Sequence, residues 1–156
     1  MHSSPPYTEY ISTRWYRSPE VLLTDGHYSE KMDIWSVGCI LFELYAQYPL
    51  FPGKNELDQI STIFSILGTP TVELIYEFTK KSGRVDFKFE PTEGIGLDTL
   101  IPDAPEDFMD LLKKMLEMNP RKRIDAKEAL NHPFFYSLTE LKRYRKCLIS
   151  KISEGK

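Results

Sequence analysis

Thr8, Tyr10, Arg14 and Arg17 are the residues of this chain whose types and spacing suit one shared chemistry. Thr8 and Tyr10 flank Glu9 and carry hydroxyls able to take a phosphate. Each phosphate would add about −1.5 to −2 of charge and three strong acceptor oxygens. Arg14 and Arg17 follow closely, with planar guanidinium forks suited to phosphate. Thr-Glu-Tyr alone is a weak motif, and a hydroxyl-rich terminus with no switch explains it better. Followed at this spacing by Thr13-Arg14-Trp15-Tyr16-Arg17-Ser18-Pro19-Glu20, the switch reading is the favoured one.

The run from Thr8 to Glu20 resembles the end of a protein-kinase activation loop, where a phosphorylation site leads into an Ala-Pro-Glu signature. Ser18 stands where that family usually has Ala. The phosphate-handling motifs that precede this run in a kinase have no counterpart in the chain. Gly94-Ile95-Gly96 lacks the third glycine of a phosphate loop, and Asp86-Phe87-Lys88 has lysine where an Asp-Phe-Gly turn needs glycine. None of His2, His27 and His132 opens a His-Arg-Asp, and there is no Gly-Lys-Ser/Thr or Val-Ala-Ile-Lys. The chain thus resembles the back half of a kinase without the half that holds ATP. No catalytic, cofactor-binding or metal-ligating residue is assigned to it. ATP and magnesium are expected only for a full-length kinase, and the isolated chain is expected to be inactive.

Composition fits one modest globular unit. The chain has 156 residues, 41% apolar and 28% charged, with a net charge of −3. That balance argues against a nucleic-acid partner. Two cysteines, Cys39 and Cys147, make neither a disulfide framework nor a metal spacing, which suggests a reducing compartment. The N-terminus has no apolar signal region. The longest apolar stretch, Ile34 to Ala46, is too short to span a bilayer and is interrupted by Ser36, Gly38 and Glu43.

The elements that must position these residues read as helices. Residues 1–18 carry no helical period, and a short helical turn is predicted over Pro19 to Leu23. Ser29 can cap a helix starting near Glu30 that is apolar on nearly every side from Ile34 to Ala46, the mark of a central, buried helix. Trp35, Phe42 and Tyr45 are expected to lie where the missing part of a kinase would pack. Pro49, Pro52 and Gly53 end that helix in a loop. Asn55 caps the next, with Leu57, Ile60, Ile63, Phe64 and Leu67 on one stripe and Gly68 at its end. A short helix is predicted over Thr71 to Lys80. Residues 82–100 have poor helical pattern, and Val85, Phe87 and Phe89 alternate as in a short strand. Asp103 with Glu106 predicts a capping box for a helix carrying Phe108, Leu111, Leu112, Met115 and Leu116, and Asp125 with Glu128 predicts another, closed by His132-Pro133. The stretch from Leu138 to Ile152 is basic and amphipathic: Leu138, Leu141, Leu148 and Ile152 share a face near Lys142, Arg143, Arg145 and Lys146.

This order is similar to the lower helical part of a kinase C-terminal lobe. The fold class is therefore mainly α, within a whole kinase fold that is α+β and whose N-terminal lobe is absent. Residues 1–136 form a partial kinase domain and 137–156 a basic amphipathic tail. Arg14-Trp15-Tyr16-Arg17 and the Gly68-Thr69-Pro70 turn resemble the MAP-kinase and cyclin-dependent-kinase group. The runs Pro6 to Arg17 and Leu50 to Ile60 resemble the MAK/MOK kinases. That resemblance implies activation-loop phosphosites at Thr8 and Tyr10, with phosphorylated Tyr10 docking on Arg14 and Arg17. It implies a substrate loop over Thr13, Arg14, Trp15, Tyr16 and Arg17 that favours proline just after the phosphoacceptor. It implies an architectural ion pair between Glu20 and Arg123, and a helix anchor at Asp33. A dipole-favoured carboxylate accounts for Asp33 equally well. Trp15 and Tyr16 also read as ordinary core aromatics, and Cys39 as core.

Two functions follow from different classes. In the first, the chain is part of a proline-directed Ser/Thr protein kinase, supplying activation loop and substrate-binding lobe. Its partners would be proteins with Ser/Thr-Pro sites and an upstream activating kinase, with no nucleic acid and no membrane. The location implied is cytoplasmic, with nucleus and cilium as further sites. In the second, the chain is a non-catalytic docking module derived from a truncated kinase. ATP binding by the isolated chain separates the two.

Overall fold

The computed structural model describes residues 14–24, 29–80 and 89–136. Among them every regular element is helical: α1 Pro19–Leu23, α2 Glu30–Ala46, α3 Glu56–Leu67, α4 Val72–Thr79, α5 Leu97–Leu100, α6 Glu106–Met115, α7 Ala126–Leu130 and a 3-10 turn over Pro133–Phe135. No strand lies among the described residues. Phe89 is irregular and packs edge-on against Phe64; the rest of the predicted alternation falls outside the described residues.

The central element is α2, which packs against α6. Ile34, Trp35, Gly38, Cys39 and Phe42 form its inward face, and Trp35 stacks on Phe51 from the following loop. The expectation that Trp35 and Phe42 face the missing part of a kinase is corrected: both have no exposed surface. The uncovered stripe is instead Val37, Ile40 and Leu44, exposed by 48%, 47% and 69%, with Tyr45 beside it. These positions fall at i, i+3 and i+7, one side of a helix that is apolar all round. Gln47 ends α2 in the left-handed conformation, its N–H bonding the Glu43 carbonyl.

Capping follows the sequence at some ends and not at others. Asn55 accepts from the Asp58 N–H at the start of α3, and Thr71 from the Leu74 N–H at the start of α4. Asp125 and Glu128 form a reciprocal capping box on α7. Ser29 precedes α2 but its side chain makes no capping bond. The predicted Asp103–Glu106 box does not form: Pro105 is the N-cap of α6, and Asp103 sits two residues too early. Asp107 instead accepts from the Phe108 N–H, and acidic Glu106 and Asp107 at the start with Lys113 and Lys114 at the end suit the helix dipole. Residues 97–100, read as poorly patterned, form α5, a single turn that buries only Leu97.

The far end of α3 carries a backbone clasp. Gly68 and Gly94 both have positive φ, and a Cβ on Gly94 would lie 2.3 Å from the Gly68 nitrogen, so only glycine fits. Around them Thr69 N–H bonds Thr92 C=O, Ile95 N–H bonds Ser65 C=O and Gly96 N–H bonds Ile66 C=O. The clasp brings together the two ends of the excursion that carries α4.

Candidate functional site

Residues 14–17 form a turn closed by the Arg17 N–H on the Arg14 carbonyl at 3.0 Å. Its aromatics are tied to α2 and to the loop before α3. The Trp15 indole N–H donates to Gly53 C=O at 3.0 Å, and the Gln59 amide donates to Trp15 C=O at 3.4 Å. The Tyr16 hydroxyl donates to a Glu43 carboxylate oxygen at 2.8 Å, and the Ser36 hydroxyl donates to Tyr16 C=O at 2.8 Å. That bond to Glu43 is the first cause that raises the Tyr16 hydroxyl above its usual pKa, since ionising it would put two negative charges together. Trp15 and Tyr16 are not core aromatics alone: Trp15 keeps 37% of its surface exposed, with its polar edge bound to backbone.

Behind this turn the chain enters α1, and Glu20 meets Arg123. One guanidinium nitrogen lies 2.6 Å and the other 2.9 Å from the two carboxylate oxygens. Both side chains are buried. The other donors of Arg123 reach the carbonyls of Glu117, Lys31 and Met118, and its flat face lies 5.0 Å over the Trp35 ring. Lys31 returns the contact by donating to Arg123 C=O at 2.7 Å. A carboxylate held this way by a buried guanidinium braces α1 against α2 and the loop before α7, and it is not free to act as a base.

The remaining predicted residues divide by position. Arg14 is exposed and Arg17 half-buried, on the turn itself. Asp33 is exposed in the first turn of α2, where the helix dipole favours a carboxylate. Thr8, Tyr10 and Thr13 lie outside the described residues, as does the basic stretch beyond Tyr136. Cys39 is buried, and burial pushes its thiol well up, which keeps it a thiol rather than a nucleophile.

Sequence reasoning did not pick out Glu43, Ser36, Gln59 or Gly53 as partners of the turn. Ser36 and Glu43 were visible only as polar interruptions of an apolar helix. Gln59 gave a similar signal, an amide beside the inward stripe of α3, and it has no exposed surface. Among the described residues no group of three or more His, Cys, Asp or Glu is placed to hold a metal ion, and no helix is long and apolar enough to cross a membrane.

Residues 1–135 match the family described as protein kinase domain. Over 135 residues the chain is 48% identical to the human (Homo sapiens) MAPK/MAK/MRK overlapping kinase, covering 86% of this chain and 32% of that relative. It is 46% identical over 135 residues to the human serine/threonine-protein kinase MAK, covering 86% of this chain and 22% of that protein. It is 45% identical over 135 residues to the mouse (Mus musculus) serine/threonine-protein kinase ICK, with 86% and 22% covered. The chain thus spans a third or less of the length of these curated relatives. A match over most of this chain, carried on a helical array with a bidentate Glu20–Arg123 pair, shows that the chain belongs to the protein kinase family, and its similarity there is to MAK/MOK-like kinases.

Proposed function

We propose that the chain supplies the activation-loop end and the substrate-binding lobe of a proline-directed Ser/Thr protein kinase. The reaction is transfer of the ATP γ-phosphate, with magnesium, to a protein hydroxyl. The residues for that chemistry are not among these 156, so the chain alone is inactive. Its own residues shape the turn that receives the substrate residue after the phosphoacceptor. Phosphate on Tyr10 holds that turn through the forks of Arg14 and Arg17, placed there by an upstream kinase, and Thr8 is the second phosphosite.

The observation that carries this reading is the tethering of Trp15 and Tyr16 to α2 and α3, immediately ahead of the Glu20–Arg123 brace. A turn bound through its backbone carbonyls presents a fixed shape without using its two arginines. Both forks are then left for a phosphate.

The test has two parts. Purified chain should give no ATP-dependent phosphorylation of a Ser-Pro peptide above a no-protein blank, and binding of that peptide without nucleotide would favour the docking-module reading. In an active kinase carrying this segment, Tyr10→Phe and Arg17→Lys should each lower activity toward the Ser-Pro peptide. Combining them should cost little more than the worse single change, because both break one contact. Fully additive losses would show that Tyr10 and Arg17 do not act together.

A further inference from the structure

Trp15, Gly53 and Gln59 close a ring of hydrogen bonds in which each residue both gives and receives. Trp15 gives its indole N–H to Gly53 C=O, Gly53 gives its backbone N–H to the Gln59 side-chain oxygen at 3.1 Å, and Gln59 gives its amide N–H to Trp15 C=O. The ring joins the turn, the loop and the first turns of α3 across 44 residues of chain. Gln59 is wholly buried, and both ends of its amide are used here. Gly53 is the one residue type that fits: a Cβ there would lie 2.5 Å from both the Gln59 Cα and its side-chain oxygen. The N–H of Gly53 fixes which way the amide faces, because it must meet the oxygen. The opposite edge of the amide is thereby a donor aimed at the Trp15 carbonyl.

We infer that Gln59 is a positioning residue that sets substrate discrimination: by holding the Trp15 carbonyl from the α3 side, it fixes the turn that meets the residue after the phosphoacceptor. This rests on the substrate-turn reading above. It adds a second hold on that turn, independent of phosphate and made through the Trp15 backbone carbonyl. Only a side chain that accepts and donates in the same plane completes the ring. Methionine matches glutamine in length and does neither. Glutamate accepts from Gly53 but has no N–H for Trp15, and it sets a charge against a carbonyl.

The ring can be read directly in the 156-residue chain by NMR, because its two tryptophans give one indole N–H signal each. In Gln59→Met, solvent exchange of the Trp15 indole proton should quicken by about tenfold, the scale of one lost hydrogen bond, while that of Trp35 holds. Unchanged protection of Trp15 would overturn the ring. If Gln59→Met does not fold, Gln59→Glu carries the same expectation for Trp15.

Discrimination is read in an active kinase carrying the segment, as the ratio of kcat/KM for a Ser-Pro peptide over its Ser-Ala twin. Gln59→Met should lower that ratio about five- to tenfold, chiefly through KM for the Ser-Pro peptide. A residue that merely supported the fold would lower both peptides by one factor and leave the ratio. A parent enzyme without proline preference would overturn the substrate-turn reading itself. A parent that prefers proline, beside a Gln59→Met enzyme with the same ratio, would overturn the role of Gln59 alone.

Discussion

Arg123 grips both carboxylate oxygens of Glu20 across 103 residues of chain, and its remaining nitrogen takes the Glu117 carbonyl. Arg123→Met leaves the Glu20 carboxylate buried and without its partner. The expected loss is roughly 3–5 kcal/mol, read as a lower urea midpoint. Pairing it with Glu20→Leu should recover much of the loss, since an apolar pair of similar volume needs no charge partner. A double variant as unstable as the sum of the singles would contradict this. Arg123→Lys should recover little, because lysine keeps the charge but not the fork.

Ser18 gives an opposite expectation. Its backbone carbonyl receives the Val21 and Leu22 N–H groups, while its hydroxyl is buried with no partner. A buried, unanswered hydroxyl is a cost, and alanine removes it without leaving a large void. Ser18→Ala should leave stability unchanged or raise it by about 1 kcal/mol. A clear loss in denaturant unfolding would mean the hydroxyl has a partner in solution.

The bare stripe on α2 predicts association. Leu44 is its most exposed member, at 69%. Leu44→Lys should reduce binding of a hydrophobic dye and shift the chain toward monomer in sedimentation, with stability within about 0.5 kcal/mol of the parent. A parent that is monomeric and binds no dye would refute the prediction.

Asp110 supplies a pH dependence. Lys114 first, then His132, hold its carboxyl below the usual range, with contacts at 2.6 and 2.8 Å. A carboxyl whose pKa is lowered by folding stabilises the fold above its unfolded value, about 3.9, and that contribution fades as pH falls through the folded value. The carboxylate is half exposed, so the effect is under about 1 kcal/mol. Asp110→Asn should therefore flatten the acid side of the melting-temperature profile and leave the slope above neutrality unchanged. An equally steep acid limb in the variant would assign it to other carboxylates.

Helices α2, α3 and α7 were legible because local rules decide them: a continuous apolar run, an Asn cap before an apolar stripe, or an Asp–Glu capping box. The stripe of α3 was misjudged at its edges, since Leu57 faces solvent and Ile66 is buried, and the Thr71 cap of α4 was not picked out. The Glu20–Arg123 pair was legible only through resemblance, since nothing local links residues so distant. What stayed hidden is tertiary. Which side of an all-apolar helix is covered depends on where α6 lies, so Trp35 and Tyr45 could not be sorted by periodicity. Asp103 failed as a cap because Pro105 displaced the helix start by two residues. The ring through Gln59 was hidden because its three members share no sequence pattern, only a meeting point.

The clasp at Gly68 and Gly94 makes the stretch between them a cassette. Its two ends are fixed to one another by the Thr69–Thr92 bond, so the rest of the molecule sees a constant attachment whatever the stretch contains. Lengthening it between Lys80 and Phe89 adds closure entropy of only about 0.6 kcal/mol per doubling. Phe78, buried below the surface, and the Glu77–Arg121 contact are the anchors such an exchange would have to keep. A chain built this way can acquire a new surface at that position by splicing in residues, without relearning how to fold.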